Sequence, residues 1–568
     1  MQSHRGRAPL PITLPHRSSM SSALRRVAAA AALAAPALVA AQNPATGTPL
    51  ATSALSRPIP QAEWPEYVRR TPVTDPTLLK IVAEGMERSQ AAALAQVLTD
   101  SIGPRLTASP GFQSAAEWLR RKYTEWGIAT RTTQYGTFPG WRRGPSHIDL
   151  VAPRVRSLEG MTLAFSPATP NGQPVEGDVV VLPLLENAEA YAAWAAQARG
   201  KFVLVNAPAL SCRSTPQLAE YGTPQTLETL RARQDSLRQS WNERNVRSGN
   251  YAFQEKLAAA GALGVLTFQH SGYPGVNKIF GSPNLRILAL DLSCEDYGLV
   301  FRLAERNQGP RLRVTAQAEA MGEQPASNTF GEIKGKGKTA GEYVMLSAHM
   351  DSWTASSGAT DNATGTIVML EAMRILKAIG YQPKRTILAG HWGGEEQGLN
   401  GSRAFVRDNP AIVAKVHALF NQDNGTGRVV GTSASGFTGA DTVLRRYLAA
   451  LPSDFTQWIR YGGVGVPGSG GTDHVSFVCA EAPGFNLNAL SWDYGLTTWH
   501  TNRDTYDKIV PEDLRHNATL VAMLVYLASE DPTFMPRTHL AAVPGPGGQS
   551  AAWPSCVDGM RSGAGYRR

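Results

Sequence analysis

The stretch Glu342-Tyr343-Val344-Met345-Leu346-Ser347-Ala348-His349-Met350-Asp351 sets the fold. It reads as an apolar strand, residues 342–348, that ends on a histidine with an aspartate two residues further on. Working outward, strands and helices alternate. Residues 363–379 are a helix stopped by Gly380 and Pro383, and residues 385–391 form the next strand, which runs into Gly393-Gly394-Glu395-Glu396. Residues 415–421 lead into Gln422-Asp423-Asn424, residues 483–490 form a further strand, and residues 511–529 form a last long helix with Pro511 in its first turn. This alternation predicts an α/β fold.

In open α/β sheets, ligands gather beyond the carboxyl ends of the strands. His349, Glu395, Glu396 and Asp423 all follow strand-like runs, Asp361 opens Asp361-Asn362-Ala363-Thr364-Gly365, and His500 begins His500-Thr501-Asn502-Arg503-Asp504-Thr505. Two imidazoles and three carboxylates are the ligand chemistry of a hydrolytic zinc pair. Each piece has a plain structural alternative: an adjacent Glu pair can be a solvated face, and Asp-Asn-x-x-Gly can be a helix cap. Five ligand types at strand ends make the joint case. Gly393-Gly394 lets the backbone turn sharply before the Glu pair, so that one glutamate can bind metal while the other faces the attacking water. Asp351 is placed to accept a hydrogen bond from the His349 imidazole, which would fix its tautomer. His391 reads as a packed strand residue, and Asp473-His474, in the Gly-rich loop 468–471 region, as a structural loop.

The rest of the chain bounds these readings. Its 568 residues exceed one core and suggest two to four domains, and 42% hydrophobic with 18% charged residues is an ordinary folded composition. The net charge is +9, but Arg5, Arg7, Arg17, Arg25 and Arg26 all lie in the first 41 residues, which hold no acid, leaving +4 beyond them. No basic run is interleaved with aromatics, so nucleic acid is excluded as a partner. Arg25-Arg26 followed by an Ala-rich apolar stretch and Val39-Ala40-Ala41 reads as a signal peptide over residues 1–41, which predicts export to the periplasm or the extracellular space. No later segment is long and apolar enough to span a bilayer. Residues 42–75 read as a linker or loose arm and 76–139 as the helical N-terminal part of the main domain, with residues 130–135 alternating like a strand. Residues 140–325 read as an inserted β-rich domain with a polar excursion at 208–250. Residues 326–532 read as the catalytic domain, and 533–568 as a tail without an assigned fold. None of Cys212, Cys294, Cys479 and Cys556 forms a C-x-x-C pair, so thiolate zinc is excluded. Two disulfides, Cys212 to Cys294 within the insert and Cys479 to Cys556 on the tail, stand against four buried free thiols.

The motifs Ser347-Ala348-His349-Met350-Asp351-Ser352, Thr360-Asp361-Asn362-Ala363-Thr364-Gly365, Gly394-Glu395-Glu396-Gln397-Gly398-Leu399-Asn400-Gly401-Ser402 and His500-Thr501 with Asp504-Thr505 resemble those of a known family. It is the family of secreted dizinc aminopeptidases that also holds plasma glutamate carboxypeptidase, glutamate carboxypeptidase II and the glutaminyl cyclases. The insert resembles a protease-associated domain, and the resemblance implies a three-layer α/β/α sandwich with a mixed sheet for the rest. The resemblance implies two zinc ions per chain, with Asp361 bridging, His349 and Asp423 on one ion, and Glu396 and His500 on the other. It implies that Glu395 is the general base that takes a proton from the attacking water and returns it to the leaving amine, and a cis peptide after Asp361. Glu395 and Asp351 are thus the candidate catalytic residues. Trp499 stands where some members carry a tyrosine, which removes an oxyanion donor from that position.

The function expected is an exported dizinc exopeptidase acting on short peptides, an aminopeptidase that requires a free α-amine. Carboxylates around the zinc pair would hold an ammonium group, and no basic residue lies within the ligand motifs, although Arg403 and Arg503 are near in sequence. The alternatives are a carboxypeptidase or dipeptidase of the same family, a one-zinc cyclase, and an inactive binding protein on a peptidase scaffold. The intact ligand set and Glu395 speak against the last.

Overall fold

The computed structural model describes residues 55–563 except 250, 270, 283–285, 469 and 546–548. The signal-peptide segment 1–41 lies outside the described residues. Among those described, no helix is long and apolar enough to cross a membrane.

Twelve strands assemble into one mixed sheet, and five short ones form a three-stranded and a two-stranded sheet beside it. In chain order the twelve are β1 (Ala129–Ala152), β2 (Arg156–Ser157), β3 (Gly160–Thr162), β4 (Val175–Val181), β5 (Lys201–Leu204), β6 (Gly264–Thr267), β7 (Leu288–Leu292), β8 (Arg311–Ile333), β9 (Tyr343–His349), β10 (Thr386–Trp392), β11 (Val416–Asn421) and β12 (Gly484–Asn486). The spatial order is β12-β11-β9-β10-β8-β4-β5-β6-β7-β3, with β1 paired along β8. Strands β9 to β12 run parallel, as do β4 to β7, and β8 is antiparallel to both β10 and β4.

The apolar strands of the sequence are buried on both faces, and successive side chains go to opposite sides. Val344, Leu346 and Ala348 of β9, Ile387 and Ala389 of β10, and Ala418 and Phe420 of β11 enter one core. Helices α1 (Pro76–Glu87), α2 (Pro110–Glu125), α4 (Thr364–Ala378) and α6 (Pro511–Glu530) cover that face. Met345, Leu388, Trp392, Val416 and Leu419 enter a second core under α5 (Asn400–Asp408). This is the three-layer arrangement, produced by period-2 strands between helix faces. Starts are capped as the composition suggests: the Asp75 side chain accepts from Thr77 and Leu78 N–H ahead of Pro76, and the Ser109 hydroxyl accepts from Phe112 N–H ahead of Pro110.

Strands β4 to β7 build a further, separate hydrophobic core from Ile148 to Ala316. The excursion at 208–250 is largely the polar helix α3 (Pro224–Ser248), anchored by buried Trp241. Both disulfides form: Cys212–Cys294 ties this excursion to the lobe, and Cys479–Cys556 ties the tail to the catalytic part.

Three features differ from the sequence expectations. The strand expected at 130–135 continues to Ala152, and its partner β8 is 23 residues long. The pair carries register shifts at Gln134/Gly136, Pro139/Trp141, Arg143/Ser146 and Leu150/Ala152. Each bulge resets the inside-outside alternation, which erased the period-2 signal. The segment expected to be a loose arm is seated from Ile59 onward: Ile59 N–H donates to Gln457 O at 2.8 Å, and the buried Tyr67 hydroxyl donates to Ile459 O at 2.9 Å. The tail also packs, with Thr137 N–H donating to Arg561 O at 3.0 Å and the Trp553 indole donating to Val478 O at 3.0 Å.

Candidate metal centre

His349 is the last residue of β9, Glu395 and Glu396 follow β10, and Asp423 follows β11, so parallel strands deliver four side chains to one rim. Asp361 precedes α4, and His500 comes from the loop before α6. The five expected metal ligands meet as two clusters, His349-Asp361-Asp423 and Asp361-Glu396-His500, which share Asp361. Asp361 Oδ1 is 3.3 Å from His349 Nε2 and its Oδ2 is 3.1 Å from His500 Nε2. Asp423 Oδ1 is 3.0 Å from His349 Nε2, and Glu396 Oε2 is 2.9 Å from His500 Nε2. Glu395 Oε2 lies 3.9 Å from His349 Nε2.

The local backbone explains these placements. The Asp361–Asn362 peptide is cis. Asn362, rather than Asp361, caps the following turn: its Oδ1 accepts from Gly365 N–H at 3.0 Å, and its Nδ2 donates to Gln422 O at 3.0 Å. Gly394 sits at φ 73°, and a Cβ there would come within 2.4 Å of the Tyr135 hydroxyl, so only glycine fits the turn that aims the Glu pair. His500 has φ 59°, a left-handed conformation uncommon outside glycine and typical of functional sites.

Asp351 does something other than expected. His349 Nδ1 faces the Asp351 backbone carbonyl at 3.0 Å, with the carboxylate at 3.6 Å, too far for a hydrogen bond. The Asp351 carboxylate instead accepts from Glu395 N–H at 3.3 Å, Glu396 N–H at 3.2 Å and the Thr107 hydroxyl at 3.0 Å. It therefore positions the Glu-pair turn, and the tautomer of His349 is set by a carbonyl.

Burial and charge crowding act on every titratable group here. Burial pushes Glu396 up to about 7, helped by Asp361 and opposed by His500. Burial also holds Glu395 well above the usual carboxylate range; His349 pulls the other way, and Asp423, Glu396 and Asp473 add to the rise. For the imidazoles, burial works against the charged form. Asp423 and Glu395 nevertheless hold His349 well above its ordinary value, and Glu396 and Asp361 bring His500 to about 9. Asp361 is drawn below the usual range by the two histidines despite its burial. Asp361 Oδ2 and Glu396 Oε1 are buried with no hydrogen-bond partner. Orphaned carboxylate oxygens facing two imidazoles are a donor set that fits a pair of divalent cations, zinc by ligand type.

Two supports went without a role in the sequence, Asp504 although it stands in the His500 motif. Arg105, in the apolar run Ile102-Gly103-Pro104-Arg105-Leu106, is wholly buried beneath the site. Its guanidinium donates to the carbonyls of Met350 (2.8 Å), Gly103 (2.9 Å), Ser357 (2.6 Å) and Gly358 (2.8 Å). A single charge inside an apolar run was the signal. Asp504 accepts from Thr360 N–H at 2.7 Å and Asp361 N–H at 3.1 Å, fixing the loop of the bridging aspartate.

The remaining flagged residues divide as follows. His391 is buried in β10 and pairs with the Tyr123 hydroxyl at 2.7 Å. Asp473 is fully buried with both carboxylate oxygens unpaired, and burial raises it to about 7. His474 opens the short helix His474–Val478. Trp499 stacks beside His500 with ring centroids 4.2 Å apart. Arg403 is half-buried, within the field of Asp473 and Glu395, whereas Arg503 faces outward and donates to Gly275 O at 3.1 Å.

The chain is similar to several known proteins. The chain is similar to mouse carboxypeptidase Q, 23% identical over 466 residues, 81% of this chain and 90% of that protein. The fold is similar to that of a peptidase M28 precursor from Shewanella amazonensis, with a TM-score of 0.60 at 22% identity, covering 81% of this chain and 97% of that one. It is also similar to a zinc aminopeptidase from Bacillus subtilis, with a TM-score of 0.52 at 19% identity, covering 79% and 97%. Residues 328–525 match peptidase family M28. These residues are the ones that carry β9 to β12 and all five clustered side chains, and the chain is a zinc-dependent metallopeptidase that over this segment resembles that family.

Proposed function

We propose that the protein is a dizinc aminopeptidase for short peptides, in which Asp361 bridges the two ions. His349 and Asp423 would hold one, and Glu396 and His500 the other. The observation that carries this is the division of Asp361 between the clusters, one oxygen toward each histidine. Zinc, when bound, would polarise the scissile carbonyl and lower the pKa of the attacking water. Glu395 has the other role. Its carboxylate is nearest His349 rather than His500, its amide is held by Asp351, and its raised affinity for protons suits it to take one from the water and pass it to the leaving amine.

Preference for the amino end is supported by the sign of the site. Asp361, Glu396, Asp423, Glu395 and Asp473 face one region, a surplus of acid that favours a substrate ammonium. Preference for short peptides is supported by the inserted segment 140–325. Its Phe280 ring packs 4.8 Å from the His500 ring, and its Ile279 N–H donates to His500 O at 2.7 Å, so it borders the site. The separate core of that segment supports reading it as a domain of its own. Two disulfides support export, since such bonds persist in oxidising compartments. The similarity to carboxypeptidase Q favours a second reading, a carboxypeptidase or dipeptidase.

The test is a set of peptides differing only in N-terminal acetylation. Loss of cleavage on acetylation is the expected result. Equal cleavage of both forms, with release from the carboxyl end, would overturn the aminopeptidase reading and leave the zinc chemistry standing.

A further inference from the structure

The tail is remote in sequence from the Glu pair, yet it reaches the turn that aims it. Two residues hold that turn from outside. The Tyr135 hydroxyl donates to Gly393 O at 2.9 Å. Asn400 closes the far end, its N–H donating to Gly394 O at 2.9 Å and its Nδ2 to Gln397 O at 3.2 Å. Tail residues bind both holders. Met560 N–H donates to Asn400 Oδ1 at 2.8 Å, the Arg561 guanidinium donates to Tyr135 O at 3.1 Å, and Arg561 O accepts from Thr137 N–H at 3.0 Å. Gly559 permits the close approach, since a Cβ there would come within 2.6 Å of Asn400 O.

This strap of tail has a weak hold of its own. Residues 555–558 and Arg561 are exposed. Arg561 pairs with Asp408 at 2.7 and 2.8 Å, and Arg407 with Asp558, but such ion pairs in water contribute little. The cross-link supplies what these contacts lack. Cys556 stands four residues before Met560, and its bond to Cys479 fixes the strap to the catalytic part. By limiting how far residues 557–561 can wander, it raises their effective concentration at Tyr135 and Asn400. The tie is peripheral and acts through the hydrogen bonds that order the site. It is open to reagents: Cys556 is exposed, and both cysteines line a cavity of about 350 Å³ with Arg403, Arg407 and Val475.

We propose that Met560 and Arg561 position the Glu395–Glu396 turn and that the Cys479–Cys556 bond keeps them there, so that opening this disulfide slows hydrolysis. This rests on the peptidase reading of the same site. The switching step is a reduction. The S–S bond breaks, two electrons come from a dithiol or a phosphine, and two protons complete the thiols. A dithiol leaves as its own disulfide, a phosphine as its oxide with an oxygen taken from water. A displacement of about 1 Å at a reacting group is worth up to about a hundredfold in rate.

The experiment compares the oxidised and the phosphine-reduced full chain, with zinc in excess, as wild type, Cys479→Ser/Cys556→Ser, Arg561→Ala and Arg561→Lys. Reduction of wild type should lower kcat by about tenfold to a hundredfold, with KM within about threefold and zinc content unchanged, and reoxidation should restore the rate. Amide exchange should quicken over residues 393–401 and stay slow in β9. The double Ser variant should sit at the reduced level and ignore the phosphine. Arg561→Ala should lose part of the rate without any reductant, and Arg561→Lys should regain some of it. Reduced wild type with full kcat overturns the proposal. So does a double variant that still responds, because the effect would then belong to Cys212–Cys294. Zinc loss, or exchange that quickens throughout the fold in step with the rate, overturns it too, because the bond would then only support the fold. If the double variant does not fold, alkylation and mass mapping of partly reduced wild type decide: the rate must follow the opening of Cys479–Cys556, and a rate that does not follow it overturns the assignment. Oxidised wild type that hydrolyses no peptide would instead overturn the peptidase reading itself.

Discussion

Glu395 and Glu396 are neighbours in the chain and face different imidazoles. Glu396 Oε2 is 2.9 Å from His500, whereas Glu395 Oε2 is 3.9 Å from His349. The division predicts two distinct phenotypes. Glu395→Gln should keep zinc and lose on the order of 10² to 10⁴ in kcat, the usual worth of a general base, while Glu396→Gln should lower zinc occupancy as well as rate. Metal analysis of both variants beside their kinetics checks this; equal metal content in the two would remove the distinction. At this scale the sequence was most legible where chemistry requires a residue type at a strand end, as at His349, Asp361, Glu396, Asp423 and His500. It was least legible where contacts are remote in the chain. Arg105 acts on carbonyls about 250 residues away. The Asp351 carboxylate was misassigned because spacing alone cannot say whether its carbonyl or its carboxylate meets His349.

Among the elements, buried histidines within the catalytic strands and helices shape the response to acid. His391 in β10 and His417 in β11 are lowered to about 3, and His474 and His516 in helices to about 4, in each case first by burial. Each stays neutral in the fold, while the unfolded chain takes up protons near 6.5. Their contribution is therefore complete above about pH 6.5 and is lost as pH falls from there toward 4 to 3, at up to about 1.4 kcal/mol per pH unit for each. Urea unfolding between pH 5 and 7.5 with zinc in excess should show this decline. His391→Gln should flatten the slope by about one proton, and an unchanged slope would show that His391 does not carry it. The same elements show why the fold was only partly legible. Strands β9 to β11 are uniformly apolar and announced themselves. β1 and β8 were not seen at full length, because their bulges break the alternation and much of their length is solvent-facing.

Over the whole molecule, one sheet serves both the candidate metal centre and a separate hydrophobic core. Its parallel strands β9, β10 and β11 lead into His349, the Glu395–Glu396 pair and Asp423. Its other half holds the separate core of residues 148–316, and Ile279 and Phe280 from that segment meet His500. The covalent ties sit at the periphery, on the polar excursion and on the tail, which leaves the site to be organised by packing and by buried hydrogen bonds. The central claim is that Asp361 joins two zinc ions into one hydrolytic centre. The most direct measurement is zinc per chain followed together with peptide hydrolysis as the purified enzyme is stripped by a chelator and reloaded. Two zinc ions per chain in the active enzyme, a fall of about a hundredfold or more on their removal, and recovery on adding zinc are the results this centre requires. Metal-free protein that hydrolyses peptides at an undiminished rate, or full activity with a single ion, would contradict it.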